Sequence, residues 1–288
     1  MFANPQATNY RAAAVQGFAE RLRAEQFDVE VITPTTAHEM VTRASDLRTR
    51  KPYLVIAAGG DGAVNLVART LVGSPIRFAV APLGRCNNFF RSLVGEPSPE
   101  LALKTIVTGE TRSIDCGKVS GLPFFCSVGL GALPALTETL GERSLPRFGL
   151  GWSRLAARAA QLVKREPTPV KVDSFRFNTT PMAINVSLLP YSLGLKFAPS
   201  AQPDDERFEL TVDMSRDSQS LSDYVRDIQR GKCHFTDGIR LYRGHDITIG
   251  SVEGRKLYLD GEIIEIPTKT LDVTFYPKKL RVLTPPVQ

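Results

Sequence analysis

Two short segments carry the residue types that hold phosphate. The first, Gly59-Gly60-Asp61-Gly62-Ala63-Val64-Asn65, follows a continuous apolar run at 53–58 (YLVIAA). The second, Pro82-Leu83-Gly84-Arg85-Cys86-Asn87-Asn88-Phe89, follows a second buried-strand pattern at 76–81 (IRFAVA). Both precede a stretch with helical spacing, and in open α/β sheets ligands bind just past the carboxyl ends of strands. Glycines let backbone N–H groups approach phosphate oxygens, and the helix that follows adds partial positive charge. A carboxylate in such a loop repels bare phosphate, so Asp61 fits there if Mg²⁺ stands between it and a nucleotide. The plain alternative is that GGDG is only a tight turn. The second Gly/Asn loop, one βα unit later, tips the reading toward a site. The common fingerprints G-x-x-x-x-G-K-[ST], G-x-G-x-x-G after a strand, and G-x-S-x-G are all missing.

The elements around these loops alternate in period. Val15, Phe18, Ala19 and Leu22 recur at i, i+3, i+4 and i+7, which predicts an amphipathic helix. Residues 28–33 (DVEVIT) read as a strand and 37–47 as a second helix; another helix begins near Asn87. This is the pattern of an open, mainly parallel α/β sheet. After about Arg112 the pattern changes to short strands at 124–128, 170–177, 182–188, 208–214, 247–249, 257–259 and 271–275, which predicts an antiparallel sandwich or barrel. Two domains follow, with a boundary near 112. One helix interrupts the second half at 152–165. Trp152, Leu155, Ala156, Ala159, Leu162 and Val163 form its apolar side, and Arg154, Arg158, Gln161 and Arg165 its polar side. The favoured reading is packing on the sheet. The sharper one is contact with an anionic membrane surface.

Length and composition fit this plan. At 288 residues two domains are expected, and 42% hydrophobic with 23% charged residues excludes wholesale disorder. The net charge of +6 permits a polyanionic partner without selecting one. Cys86, Cys116, Cys126 and Cys233 show no C-x-x-C spacing, which points away from disulfides and zinc and toward a reducing cytosol. His38, His234 and His245 are unclustered and receive no role. The start lacks the pattern of a signal peptide. The uncharged stretch 119–137 holds Gly121, Pro123, Gly129, Gly131 and Pro134, so it reads as strand, turn and loop rather than a bilayer helix. A soluble protein is expected.

Taken in order, GGDG with Asn65, PLGRCNNFFRSL, Asp115 in SIDCGKV, APSAQPDDERFEL and LDGE resemble the diacylglycerol kinase catalytic family, which includes bacterial lipid kinases and is related to sphingosine and ceramide kinases. The likeness runs from Asn4-Pro5 to 280–285 (LRVLTP). It implies an N-terminal α/β nucleotide-binding domain at 1–112, completed by a returning segment at about 278–288, and a C-terminal antiparallel β-sandwich for the lipid at 113–277. It implies ATP in an interdomain cleft, cradled by 59–65, with Asn4 and a threonine near Thr33 or Thr35 lining the pocket. Gly84, Arg85 and Asn87 join them in the second loop. Asp61, Asn88 and Asp115 would organise Mg²⁺ and its waters, and Asp205 would sit in a structural metal loop. Glu262 would take the proton from the lipid hydroxyl. The implied reaction is transfer of the γ-phosphate to diacylglycerol or a related lipid at a membrane surface, with no nucleic-acid partner, in a cytoplasmic or membrane-peripheral protein. Read without the family, Asp260-Gly261 is a hairpin turn and Glu262 its exposed neighbour.

Several positions depart from the family pattern. Ala63 stands where a threonine is usual, Leu66 for a glutamate, Arg85 for a threonine and Asn88 for an aspartate. Arg85 gains the ability to grip phosphate bidentately. Asn88 orients a water but supplies no charge. Asp204-Asp205-Glu206 replaces D-D-G, and only residues 1–3 precede Asn4, so either the true start lies upstream or the first strand is stunted. The loop glycine expected in PQATN is absent. Two other readings follow: a catalytically impaired member that binds nucleotide or lipid as a regulator, and an NAD kinase-like enzyme, whose Asn-Glu pair has no counterpart beyond Asn87-Asn88.

Overall fold

The computed structural model describes residues 1–5, 10–141, 143–146, 149–232, 237–276 and 279–286. Most of the loop PQATN, as well as Cys233 and His234, lies outside them. The chain divides into two units, Met1–Cys116 with Pro277–Gln288, and Gly117–Tyr276.

The sheet of the first unit contains, in spatial order, β1 (Phe2–Ala3), β2 (Leu54–Gly59), β3 (Arg77–Pro82), the C-terminal strand (Leu280–Thr284) and β4 (Glu110–Ile114). All pairs are parallel except β4 with the C-terminal strand. The apolar runs of β2 and β3 are buried along most of their length, as in a parallel strand covered on both faces. Five helices connect the strands: α1 (Ala12–Ala24), α2 (Ala37–Arg50), α3 (Asp61–Leu71), α4 (Asn88–Leu93) and α5 (Pro99–Thr108). The buried residues of α1 are the four singled out by spacing, Val15, Phe18, Ala19 and Leu22. α2 begins in a reciprocal cap. The Thr36 side chain accepts Glu39 N–H, while Glu39 Oε2 accepts from Thr35 N and Oγ1 at 2.8 and 2.9 Å.

The strand expected at 28–33 is only one bridge, Ile32 with Phe2. Ile32 N donates to Met1 O and Ala3 N to Ile32 O, and β1 is two residues long, so no further rung can form.

The second unit holds two antiparallel six-stranded sheets. One runs Ile239–Gly244, Phe208–Asp213, Ala183–Ser187, Ser127–Gly131, Lys256–Leu259, Glu262–Glu265; the other runs Leu122–Phe124, Gly117–Val119, Thr270–Phe275, Ile247–Gly250, Thr168–Val172, Phe175–Thr179. Phe208 of the first stacks on Phe124 and Phe275 of the second, at 5.9 and 4.1 Å between ring centroids, so the sheets pack face to face. The single strand expected at 170–177 is a hairpin. Asp173, at φ 52, turns the chain between Thr168–Val172 and Phe175–Thr179. The uncharged stretch 119–137 supplies strands and the start of a helix, Ala132–Leu140. No helix among the described residues is long and apolar enough to cross a membrane.

The helix expected at 152–165 spans Gly149–Leu162, and its Trp152, Leu155, Ala156 and Ala159 are buried with Leu221, Tyr224 and Val225 of the helix Ser218–Gln229. Leu162, expected on the apolar side, is 58% exposed. These helices cover the second face of the first sheet, so Phe208–Asp213 is buried at every position. Polar Glu209, Thr211 and Asp213 alternate with apolar residues along it, and all three are buried beside Asn185 and Ser187.

Candidate functional site

The two glycine loops meet backbone to backbone. Gly60 precedes α3, and a Cβ on Gly84 would lie 2.1 Å from Gly60 Cα and 2.6 Å from Gly60 N. No side chain fits that contact, so glycine at 84 is what lets the loops touch. Asn87 locks the second loop from inside: its Oδ1 accepts Gly84 N–H at 3.0 Å and its Nδ2 donates to Gly84 O at 2.9 Å. It does so from the left-handed conformation, φ 52 and ψ 44, which asparagine tolerates better than most residues.

Asp61, the first residue of α3, sits at this junction and is 8% exposed. Its Oδ1 accepts Phe89 N–H at 3.0 Å and its Oδ2 accepts Asn88 Nδ2–H at 3.1 Å. The first turns of α3 and α4 therefore converge on one carboxylate, which suits its charge. Ala63 and Val64 are buried, so the first turn of α3 turns these side chains into the core. Cys86 lies in the same loop. Burial, reinforced by the charge of Asp61, pushes its thiol up to about 11, which keeps it protonated and unreactive at neutral pH.

Strand register decides which predicted residues share this edge. Ala3 pairs with Ala58, so Asn4 is level with Gly59; Ile32 bridges Phe2, so the exposed Thr33 is level with Ala3. Asn4, Thr33, 59–65 and 84–88 thus gather where the parallel strands end. The hydroxyl of Thr35 is spent on the α2 cap. Asp115 does not join them. The C-terminal strand pairs Val282 with Phe78 and Leu280 with Ile114, which puts Asp115 at the edge where β3 begins. There it is buried and bonded to Lys279 Nζ at 3.0 Å. With six residues of β3 between the two edges, roughly 20 Å of strand, Asp115 cannot share an ion with Asp61.

The remaining predicted residues belong to the second unit. Asp205 is ion-paired with Arg243, and its Oδ1 accepts Arg207 N–H at 3.0 Å. Glu206, in the place of the family's glycine, adopts φ 55, a conformation that favours glycine. Arg243 supplies at Asp205 the positive charge a metal would bring. Among the described residues no three His, Cys, Asp or Glu side chains gather as a ready-made metal cage. Glu262 is exposed and opens the strand Glu262–Glu265. The turn before it, Asp260-Gly261, has φ 47 and 106, as a tight hairpin requires.

Sequence reasoning missed what holds that turn. Asp260 is 3% exposed, and its carboxylate accepts the N–H groups of Phe125, Cys126 and Ser127 at 2.7, 2.8 and 3.0 Å. Its partners are backbone amides, which leave no side-chain signature. Replacing Asp260 with alanine strands three buried donors, and the expected cost is roughly 3 kcal/mol or more, read as a lower midpoint in urea unfolding. A midpoint like that of the parent would show that the carboxylate does not anchor the hairpin. Lys279 was missed for the same kind of reason: it meets Asp115 only through the return of the chain end to the first sheet.

Residues 1–119 match the diacylglycerol kinase catalytic domain. A diacylglycerol kinase of Bacillus subtilis is 28% identical over 246 residues, covering 82% of this chain and 80% of that protein. A solved structure from Bacillus anthracis, assigned as a diacylglycerol kinase, superposes with a TM-score of 0.79 at 21% identity, covering 99% and 95% of the two chains. An NAD kinase from Archaeoglobus fulgidus in complex with ATP shares the fold at a TM-score of 0.56 and 14% identity, covering 98% and 93%.

Proposed function

We propose that this chain, whose residues 1–119 match the diacylglycerol kinase catalytic domain, transfers the γ-phosphate of ATP to a hydroxyl of diacylglycerol or a related lipid, with Mg²⁺ as the metal. The observation that carries the reading is Asp61, held between two touching glycine loops at the carboxyl edge of a parallel sheet. Backbone N–H groups at 59–65, with Asn4, Thr33, Gly84 and Asn87, bind the nucleotide, and Arg85 takes up phosphate charge.

The donor set at this edge suits a Mg²⁺ that arrives with the phosphates. One carboxylate and one amide, Asp61 and Asn88, fit an ion that keeps most of its waters. When bound, the ion neutralises the charge that builds on the transferring phosphoryl group. Asp115 and Asp205 hold protein cations instead, Lys279 and Arg243, and take no part in this site. Glu262 accepts the hydroxyl proton as the new P–O bond forms. The helix Gly149–Leu162 offers an apposite membrane contact, with Leu150 76% and Leu162 58% exposed beside the exposed Arg154 and Arg158.

Label transfer from γ-labelled ATP to a panel of lipids, with and without Mg²⁺, tests the proposal. Labelled phospholipid product is expected. ATP binding without product on any lipid would favour a regulator, and label on NAD would favour an NAD kinase-like activity.

Position 88 gives a separate prediction. Asn88→Asp places a second carboxylate against Asp61, replacing a hydrogen bond with like-charge repulsion in a buried pocket. The variant is expected to melt lower than the parent without Mg²⁺, to recover with Mg²⁺, and to need less Mg²⁺ for half-maximal rate. Identical melting with and without Mg²⁺ would mean that position 88 does not face the ion.

A further inference from the structure

A second charged site lies wholly within the second unit. The end of the helix Gly149–Leu162, the hairpin strand Phe175–Thr179 and the connection from Phe208–Asp213 into the helix Ser218–Gln229 enclose an open cleft of about 850 Å³. Three guanidinium groups line it, Arg165, Arg216 and Arg240. None is ion-paired among the described residues. Arg165 donates to Thr180 O at 2.8 Å and to Arg216 O at 3.4 Å, and Arg240 donates to Ile239 O at 3.0 Å. These carbonyls orient Arg165 and Arg240. The buried carboxylate of Asp213 lies near enough to Arg165 to act on its charge, and its own burial pushes its pKa up, toward the neutral form.

A hydroxyl points to the same conclusion independently. Thr179 lines the cleft, is 7% exposed, and its Oγ1 has no hydrogen-bond partner among the described residues. A buried hydroxyl without a partner is costly, and an oxyanion would supply the missing acceptor. Two carboxylates also line the cleft, but each is engaged. Asp217 Oδ1 accepts from Ser220 N and Oγ at 2.8 Å, and Asp237 Oδ1 accepts Gly238 N–H at 2.9 Å. Because Asp217 already caps the helix Ser218–Gln229, the attraction for an anion comes from the arginines and not from the helix end.

We propose that this cleft binds a phosphate oxyanion, carried either by a lipid headgroup or as free phosphate. Planar guanidinium groups match phosphate bidentately, and three of them against two locally satisfied carboxylates leave a net positive cleft. The site does not depend on the kinase reading, since it shares no residue with the glycine loops or Glu262.

The test uses the full chain and the double variant Arg216→Gln, Arg240→Gln, with Arg240→Gln alone as the gentler change. Inorganic phosphate is titrated calorimetrically, and sedimentation is measured with phosphatidylcholine vesicles with and without phosphatidylglycerol. Phosphate bound at the glycine loops is common to all variants, so the difference between proteins isolates the cleft. Loss of at least about tenfold in phosphate affinity is expected in the double variant, and not in Arg23→Gln, an exposed arginine of α1 in the first unit. Loss of phosphatidylglycerol-dependent sedimentation in the same variant, with competition by phosphate, assigns the source to a headgroup; loss of phosphate binding alone assigns it to free phosphate. Unchanged phosphate and vesicle binding in folded variants would overturn the proposal.

Discussion

Asp61→Asn is expected to lower lipid phosphorylation by about 10²–10³-fold, the scale seen when one electrostatic stabiliser of a transition state is removed. The substitution is chosen for the contacts the carboxylate makes. Asparagine keeps an oxygen for Phe89 N–H, and a flip of the Asn88 amide turns its oxygen toward the new NH₂, so the junction of α3 and α4 survives while the negative charge that would face Mg²⁺ is gone. Alanine would also strand Phe89 N–H and mix a folding defect with the catalytic one. Turnover is measured beside a thermal melt on the same preparation. A folded variant with parental turnover would remove Asp61, and with it the GGDG assignment, from the mechanism.

Glu262→Gln is expected to lower turnover by about 10²–10⁴-fold while leaving ATP affinity nearly unchanged. A lipid hydroxyl has a pKa far above neutrality, so a carboxylate accepts its proton only as the phosphorus–oxygen bond forms. Glutamine keeps the size and hydrogen-bonding capacity and removes the basicity. The plain hairpin reading predicts the opposite. Glu262 is exposed, the turn is held by Asp260 rather than by Glu262, and a surface residue there tolerates glutamine. ATP binding and lipid phosphorylation measured together separate the two. Full activity would return Glu262 to an ordinary strand-end residue.

The parts of the fold legible in the sequence were those set by local periodicity. Helix α1 buries the four residues its spacing named, and the apolar runs of β2 and β3 became buried parallel strands. The family resemblance, carried by five motifs in order, agrees with the match over 1–119. What escaped depends on partners distant in the chain. Residues 28–33 have strand-like composition, but among the described residues the strand they bridge to is two residues long. Glu209, Thr211 and Asp213 alternate with apolar residues in Phe208–Asp213, and the helical layer on that sheet is specified elsewhere in the chain. Asp115 illustrates the limit best. Its motif suggests a metal role, while the antiparallel pairing with the chain's last strand carries it to the far edge of the sheet and gives it Lys279.

That last strand has a consequence for biosynthesis. Leu280–Thr284 lies between β3 and β4, so the first sheet has a gap at its fourth position until that strand is made. While the ribosome completes the intervening 160 or so residues, β3 and β4 present unpaired backbone edges. The nascent chain therefore cannot finish its first unit in order of synthesis. A chain interrupted before Leu280 would lack the strand that joins β3 to β4, and its first sheet would be left in two parts.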